Sequence, residues 1–229
     1  MLISVTLHPK KITVILFLIA IGLTVLSISG HALQYYFGHG HFTEFVRLFN
    51  ISGEANMPTW FDSAMLLVCS ILLAAIAHAK MSQGESFALH WWALSLIFLC
   101  ISLDETAQIH EILIDPLRSL FRARGLFYFA WVIPFGVFLI IFILAYLRFL
   151  ANLPTESRRL FLISGLVYTG GALGTEMVSG VVIDYYPDQT LIRGGVSTLE
   201  DFLQMMGEIL FIYTLLTYMR VYEAVLKSS

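Results

Sequence analysis

Residues 91–111 read WWALSLIFLCISLDETAQIHE, an apolar run that ends in a cluster of ionisable side chains. A bilayer core about 30 Å thick needs roughly 20 mainly apolar residues per helix, and the first part of this stretch has that character. The charges that follow mark the point at which such a helix leaves the lipid. The stretch therefore predicts a membrane helix whose polar end forms part of a functional site.

The composition of the whole chain agrees with this prediction. Its 229 residues are 58% hydrophobic and only 13% charged, with a mean hydropathy of +0.81. A soluble domain carries about 25% charged residues, so we expect an all-α fold, a polytopic membrane helical bundle. The net charge of -3 gives no reason to expect nucleic acid as a partner. Cys69 and Cys100 lie in apolar runs, where cysteine is typically a small buried hydrophobe.

Apolar segments of membrane-spanning length recur along the chain, which we expect to form one transmembrane domain over residues 1–229. The first apolar segment resembles a signal peptide, because Gly30-His31-Ala32 looks like a cleavage site. Its apolar stretch is longer than the usual 7 to 15 residues of a signal peptide, so we expect a retained helix. The predicted spans are 12–33, 61–79, 88–107, 127–149, 159–183 and 198–219.

The distribution of charge predicts the orientation. With six spans and a cytoplasmic N-terminus, eight of the 13 lysines and arginines fall on the cytoplasmic side, and both termini are cytoplasmic. Of the 16 acids, all but Glu85, Glu156 and Glu223 then fall on the outer side. The same charge bias explains why loop acids such as Asp184 lie on the outer side. It does not explain Glu176 and Glu208, because each is predicted to lie within the membrane.

A carboxyl group inside a membrane costs several kcal/mol unless it is paired, protonated or in contact with water. It is therefore either a protonated acid bonded to a neighbouring helix or part of a functional site, and the sequence leaves both interpretations open. Asp104, Gln108 and Glu111 stand at i, i+4 and i+7, so we expect them to share one face of a helix. Asp201, Gln204 and Glu208 share another face, so the two stripes are predicted to face each other across a cavity.

Other segments add candidates to the same side. Gly170 and Gly174 form a GxxxG pattern that predicts close packing of the fifth span, beside Glu176. In the long connection 31–60, the spacing of Phe42, Phe45 and Phe49 predicts a short amphipathic helix in the interface. In the same connection, His39 and His41 are a weak candidate for a metal-binding pair. Glu54 and Asp62 are candidates for a lid or a lining of the cavity.

Three motifs carry a resemblance to a known family. SGEANMPTWFDS, SLDETAQIHE and TLEDFLQMMGEILF together resemble a family of small multi-pass bacterial inner-membrane proteins. The resemblance implies a location in the bacterial inner (plasma) membrane. It implies no activity and no catalytic residues.

Three functions fit the pattern. The first is a metal-dependent, membrane-embedded enzyme that acts on a lipid-like substrate from the outer leaflet. A divalent metal ion would neutralise the buried acids and activate water. Its candidate catalytic residues are Glu176, Glu208 and Glu111, and its candidate metal ligands are Asp104, His110, Glu111, Glu176, Asp201 and Glu208.

The second function is a small proton- or cation-coupled transporter, since buried acids are natural coupling sites. The third is a non-catalytic sensor or assembly subunit, in which the polar residues hold helices together. The expected partners are membrane lipids, a lipid-like or small-molecule substrate and, for a transporter above all, a second copy in a homodimer.

Overall fold

The computed structural model describes residues 8–38 and 42–228, with the side chains of 190–191 and 223–228 left aside. Within these ranges all regular secondary structure is helical, and no strand occurs. A short 3₁₀ turn, Gly125–Phe127, precedes α6, and a π-helical turn, Gly170–Thr175, joins α7 to α8. The α-helices are α1 (Pro9–Phe37), α2 (Thr43–Phe49), α3 (Met57–Ser82), α4 (Ala88–Ala107), α5 (Ile109–Phe121), α6 (Val132–Asn152), α7 (Thr155–Thr169), α8 (Glu176–Tyr185) and α9 (Thr190–Ser228).

Six helices in the described ranges are long and apolar enough to cross a membrane, which confirms the predicted membrane bundle. The sixth span differs most in its bounds, since it begins at Ile192 rather than 198. The fourth span begins at Val132 rather than 127, because the 3₁₀ turn lies before it. The fifth span runs through α7, the π-helical turn and α8 as one unit, Thr155–Tyr185. The cytoplasmic location of the termini stays a prediction.

Two reciprocal serine pairs join α3 to α4. The Ser70 and Ser95 hydroxyls each donate to the other residue's backbone carbonyl, at 2.8 and 2.9 Å. Two helical turns further along, the Ser63 and Ser102 hydroxyls donate to each other's backbone carbonyls in the same way, and both hydrogen bonds are 2.8 Å long. Small hydroxyl residues let membrane helices approach closely and bond across the contact. This clamp holds the start of α3 beside the end of α4, where the charged stretch begins.

The core of the bundle is apolar and lies towards the other end. Trp91 packs edge-on against Phe149 and against Phe161, with ring centroids 5.0 and 5.6 Å apart. Between this aromatic cluster and the acidic end, α3 and α9 contribute fully buried aliphatic side chains, among them Leu73 and Leu215. By contrast, most of α1 and α6 faces outward, as expected for helices in lipid.

The predicted close packing of the fifth span occurs at Gly171, which lies inside the GxxxG pattern, and not at Gly170 or Gly174. Nothing lies within 4 Å of a side-chain carbon built at Gly170 or Gly174. A carbon built at Gly171 would lie 2.9 Å from Cβ of Leu203 and 3.1 Å from the backbone nitrogen of Gln204. The π-helical turn changes the residues per turn, so the face presented to α9 is not the one that α-helical spacing gives.

The predicted common face of Asp104, Gln108 and Glu111 is wrong, because the helix is not continuous. Gln108 has φ of 55° and ψ of 39°, a left-handed conformation that ends α4 and begins α5. The break turns α5 away from the direction of α4. It brings the first turn of α5 back towards the Asp104 side chain.

The connection between α1 and α3 is ordered by asparagines. Asn56 caps α3 by accepting a hydrogen bond from the backbone N–H of Thr59, and its amide donates to the carbonyls of Asn50 and Gly53. Helix α2 confirms the predicted short amphipathic helix. His39 and His41 lie outside the described residues. The connection therefore holds residues 50–56 as a fixed cover at the acidic end of the bundle.

Candidate functional site

A cavity of about 810 Å³ opens at the acidic end of the bundle. The cover formed by residues 50–56 lines it at the top, and α3, α4, α5, α6, α7 and α9 line its sides. Its volume falls in the range of about 300 to 1,000 Å³ that is typical of small-molecule sites. The cavity has a polar wall rich in carboxyl groups and an apolar wall formed mainly by α4 and α6.

A histidine–aspartate pair is the best-defined polar contact in the cavity. Nδ1 of His110 lies 2.8 Å from Oδ2 of Asp104. The other Asp104 oxygen, Oδ1, accepts a hydrogen bond of 2.9 Å from the backbone N–H of His110. Both oxygens of Asp104 thus hold one residue, which fixes the orientation of the imidazole. With the Nδ1 proton shared with Asp104, Nε2 is the ring atom that can exchange a proton with a ligand.

The surroundings of His110 change its pKa in opposite directions. Burial lowers the pKa of the imidazole, while the Asp104 contact and the nearby Glu105 and Glu111 carboxyl groups raise it. The carboxylates prevail, and the pKa of His110 lies above its ordinary value. The charged imidazolium is therefore stabilised next to Asp104, as a proton-transferring group requires.

Trp131 connects this pair to a second group of acids. Its ring lies beside the imidazole of His110, with centroids 5.4 Å apart, and its Nε1–H donates to Oε1 of Glu176 at 3.3 Å. Glu200 of α9 lies next to Glu176, and the two carboxyl groups interact directly. The indole thus forms a bridge between the α5 and α8 sides of the cavity.

The cover contributes its own acid. Glu54 lies in the loop before α3, and burial is the main cause that raises the pKa of its carboxyl group. Gln108 opposes this shift by a contact with the Glu54 carboxyl group, while the negative charge of Glu111 adds to it. The predicted place of Glu54 and Asp62 on the same cavity is confirmed, since both side chains line it.

A deeper pair of acids lies at the floor of the cavity. Asp62 is 7% exposed and Glu208 is 2% exposed, and their carboxyl groups interact directly. Asp62 lines the cavity, whereas Glu208 lies behind it between α3 and α9. Oδ1 of Asp62 and Oε2 of Glu208 are buried without a hydrogen-bond partner. Such buried oxygens without partners are rare and call for a physical explanation.

The structure brings most of the predicted site residues together. Five of the six predicted metal ligands line the cavity: Asp104, His110, Glu111, Glu176 and Asp201. The sixth, Glu208, does not line it. Sequence reasoning did not select Glu105 or Glu200, although each directly neighbours a chosen aspartate in the chain. It also missed Trp131, for which the aromatic-rich sequence offered no distinguishing signal.

The predicted metal centre has less support. Within the described residues, no group of three or more His, Cys, Asp or Glu side chains is arranged to hold a metal ion. Of the predicted ligands, His110 is held by Asp104, and Glu208 is absent from the cavity lining. Cys69 is buried as expected, but Cys100 is exposed and lines the apolar wall, so that expectation is wrong for Cys100.

Comparisons with known proteins identify the family alone. No curated protein and no solved structure matches the chain. One family model covers most of its length, beginning within α1 and ending within the membrane-spanning part of α9. This coverage includes every residue of the cavity. The chain belongs to the family described as Domain of unknown function (DUF8692), whose model matches residues 13–219.

Proposed function

We propose that the protein is a membrane-embedded enzyme in which His110 and Asp104 act as an acid–base pair on a lipid-like substrate. The observation that carries the proposal is the oriented imidazole inside a cavity that has one polar and one apolar wall. A position in the bacterial inner membrane, which the family resemblance implies, and a cavity at the outer leaflet, which the charge distribution predicts, belong to the same proposal.

The pair supports hydrolysis by an activated water molecule. His110 would take a proton from water through Nε2, and Asp104 would stabilise the imidazolium that forms. The oxygen of that water then bonds to the carbon or phosphorus atom under attack. A second carboxyl group of the cavity, such as that of Glu176, would give a proton to the leaving group. No step of this mechanism uses a metal ion.

The apolar wall supports a substrate that enters from the lipid. On α4, Leu96 is 61% exposed and also lines the cavity, and on α6 the same is true of Phe138, which is 45% exposed. Side chains that lie both on the outer surface of the bundle and in the cavity lining mark a lateral opening between α4 and α6. An amphiphile could therefore reach His110 without leaving the membrane.

The packing of α3 and α9 favours an enzyme over a transporter. Below Glu208, the contact is filled by Leu73, Ile212 and Leu215, each at most 1% exposed. The charged side chain of Lys80 and the Tyr218 hydroxyl lie further along, towards the opposite end of the bundle. Ten residues of helix, or about 15 Å, separate Glu208 from Tyr218. A coupled ion would need a polar path through this apolar layer.

The direct test is a search for turnover. The purified protein is incubated with a bacterial total lipid extract, and products are followed by mass spectrometry over time. We expect a lipid species to be converted in amounts well above one per protein molecule. His110→Gln and Asp104→Asn should lose this conversion by at least about a hundredfold, the scale of general acid–base catalysis.

The matched control is His78→Gln, because His78 is exposed on α3 and lies far along the helix from the cavity. It should keep the activity of the wild type. Absence of any turnover by folded wild-type protein would contradict the enzyme proposal and favour a sensor or assembly role. Equal turnover by wild type and His110→Gln would show that the pair is not catalytic.

A further inference from the structure

The charge of the cavity lining points to the class of ligand. We infer that the cavity binds an amphiphile with a positively charged primary amine, the ammonium group meeting the acids around Asp62 and Asp201. The inference rests on the proposed functional site and names its substrate class.

The first argument is the imbalance of charge. The lining contains eight carboxyl side chains but only two basic ones, His110 and Arg193. His110 is paired with Asp104, and Arg193 is largely exposed, so neither neutralises the floor of the cavity. The lining therefore offers many acceptor oxygens and few donors, which suits a cationic headgroup better than a phosphate or a carboxylate.

The second argument is the presence of unpartnered acceptors. Oδ1 of Asp62 and Oδ2 of Asp201 are buried and lack a hydrogen-bond partner, and both residues line the cavity. They belong to different helices, α3 and α9. An ammonium group has three N–H donors and no acceptor, so it would satisfy such oxygens without adding an acceptor of its own. Its charge also offsets the cost of burying a carboxylate.

The third argument is size and shape. A bare ion would not need a cavity of about 810 Å³ with an apolar wall. Phe135 and Trp131 offer aromatic faces within this lining, and aromatic faces attract both alkyl chains and ammonium groups. A chain attached to the amine would lie along α4 and α6 and leave through the lateral opening.

The test compares the affinities of octylamine, octan-1-ol and octanoate for the protein in detergent, measured by calorimetry at pH 7. At this pH the amine is charged, because alkylammonium groups of the lysine type have a pKa near 10.4. We expect octylamine to bind at least about tenfold more tightly than the alcohol, which matches one lost charged hydrogen bond, and octanoate to bind most weakly.

Asp62→Asn and Asp201→Asn should each weaken octylamine binding about tenfold while leaving octanol binding nearly unchanged. Glu44→Gln is the control, because Glu44 is exposed and pairs with Arg47 outside the cavity. If Asp62→Asn fails to fold, Asp201→Asn decides. Equal affinity for amine and alcohol, or an Asp201→Asn variant that binds octylamine like wild type, would overturn the inference.

The two proposals fail separately. The His110→Gln variant should still bind octylamine, since binding depends on the acids and not on the acid–base pair. Turnover of a lipid without any preference for amines would contradict only the inference that the ligand carries an amine. Tight amine binding without turnover of any lipid would contradict only the proposal that the protein is an enzyme.

Discussion

Nδ1 of His110 lies 2.8 Å from Oδ2 of Asp104, although the two residues belong to different helices. The contact exists because Gln108 adopts a left-handed conformation between α4 and α5. On an uninterrupted helix, residues six apart would lie on different faces, and these side chains could not meet. The break at Gln108 is thus the feature that builds the acid–base pair.

Substitution of Gln108 tests this role. A left-handed residue other than glycine costs about 1–2 kcal/mol, and a β-branched residue fits this conformation worst. Gln108→Val should therefore destabilise the fold and weaken the His110–Asp104 contact, whereas Gln108→Gly should preserve both. Thermal unfolding and the imidazole signals in an NMR spectrum report the two effects. Equal behaviour of the valine and glycine variants would show that the backbone conformation is not decisive.

The Asp104→Asn variant should lower the pKa of His110. Burial alone lowers this pKa, and Asp104 is the largest of the contributions that raise it. An amide keeps the shape of the side chain but removes its negative charge, so burial should then prevail. The measurement is an NMR titration of the His110 ring, with Asp115→Asn as the control on the exposed side of α5. An unchanged His110 pKa would contradict the assigned role of Asp104.

The sequence was sufficient to predict the membrane bundle, because apolar length and charge bias act locally along the chain. It also placed Asp104 and Asp201 on one cavity, since both stripes lie at the same end of their spans. It could not reveal the left-handed Gln108 or the π-helical turn, as each depends on packing between helices. For the same reason it did not select Trp131, whose indole acquires a role only when the segment before α6 lies beside α8.

The serine clamp between α3 and α4 should act as a unit. Ser70→Ala and Ser95→Ala should each cost about 0.5–1.5 kcal/mol of unfolding free energy, typical of hydrogen bonds between membrane helices. The double variant should cost less than the sum, because the hydroxyl–hydroxyl contact of 3.2 Å is lost in either single variant and can be lost only once. Unfolding in a dodecyl sulfate gradient gives these values. Strict additivity would show that the two hydroxyls act independently.

The opposite end of the bundle should respond to acid. Lys80 Nζ lies 2.6 Å from Oε2 of Glu85, and hydrogen bonds from Lys80 and Tyr222 lower the pKa of Glu85 below its ordinary value of 4.5. A lowered pKa contributes stability that is present above about pH 4.5 and lost as the pH falls through the folded-state pKa. Wild type should therefore unfold at a higher temperature than Glu85→Gln at pH 6.

That difference should shrink progressively as the pH falls below about 4.5, once Glu85 is protonated in both states. We expect it to correspond to about 1 kcal/mol at pH 6, the scale of a partly exposed ion pair. Glu156→Gln, in the first turn of α7, is the matched control on another helix. A difference that stays constant from pH 6 to pH 3 would mean that the charge of Glu85 is not what stabilises this end.

Gly171 should be the glycine that α9 requires. A side-chain carbon there would lie 2.9 Å from Cβ of Leu203 and 3.2 Å from the backbone oxygen of Glu200, and backbone cannot easily yield. Gly171→Ala should thus cost about 1–3 kcal/mol, as overpacking of a tight contact does. It should also weaken ligand binding, because Glu200 and Asp201 follow the displaced α9. Gly170→Ala, with open space around it, should be neutral or gain up to about 1 kcal/mol from its helical preference. Unfolding free energies of the two variants, measured side by side, decide between Gly171 and the GxxxG pair as the packing contact.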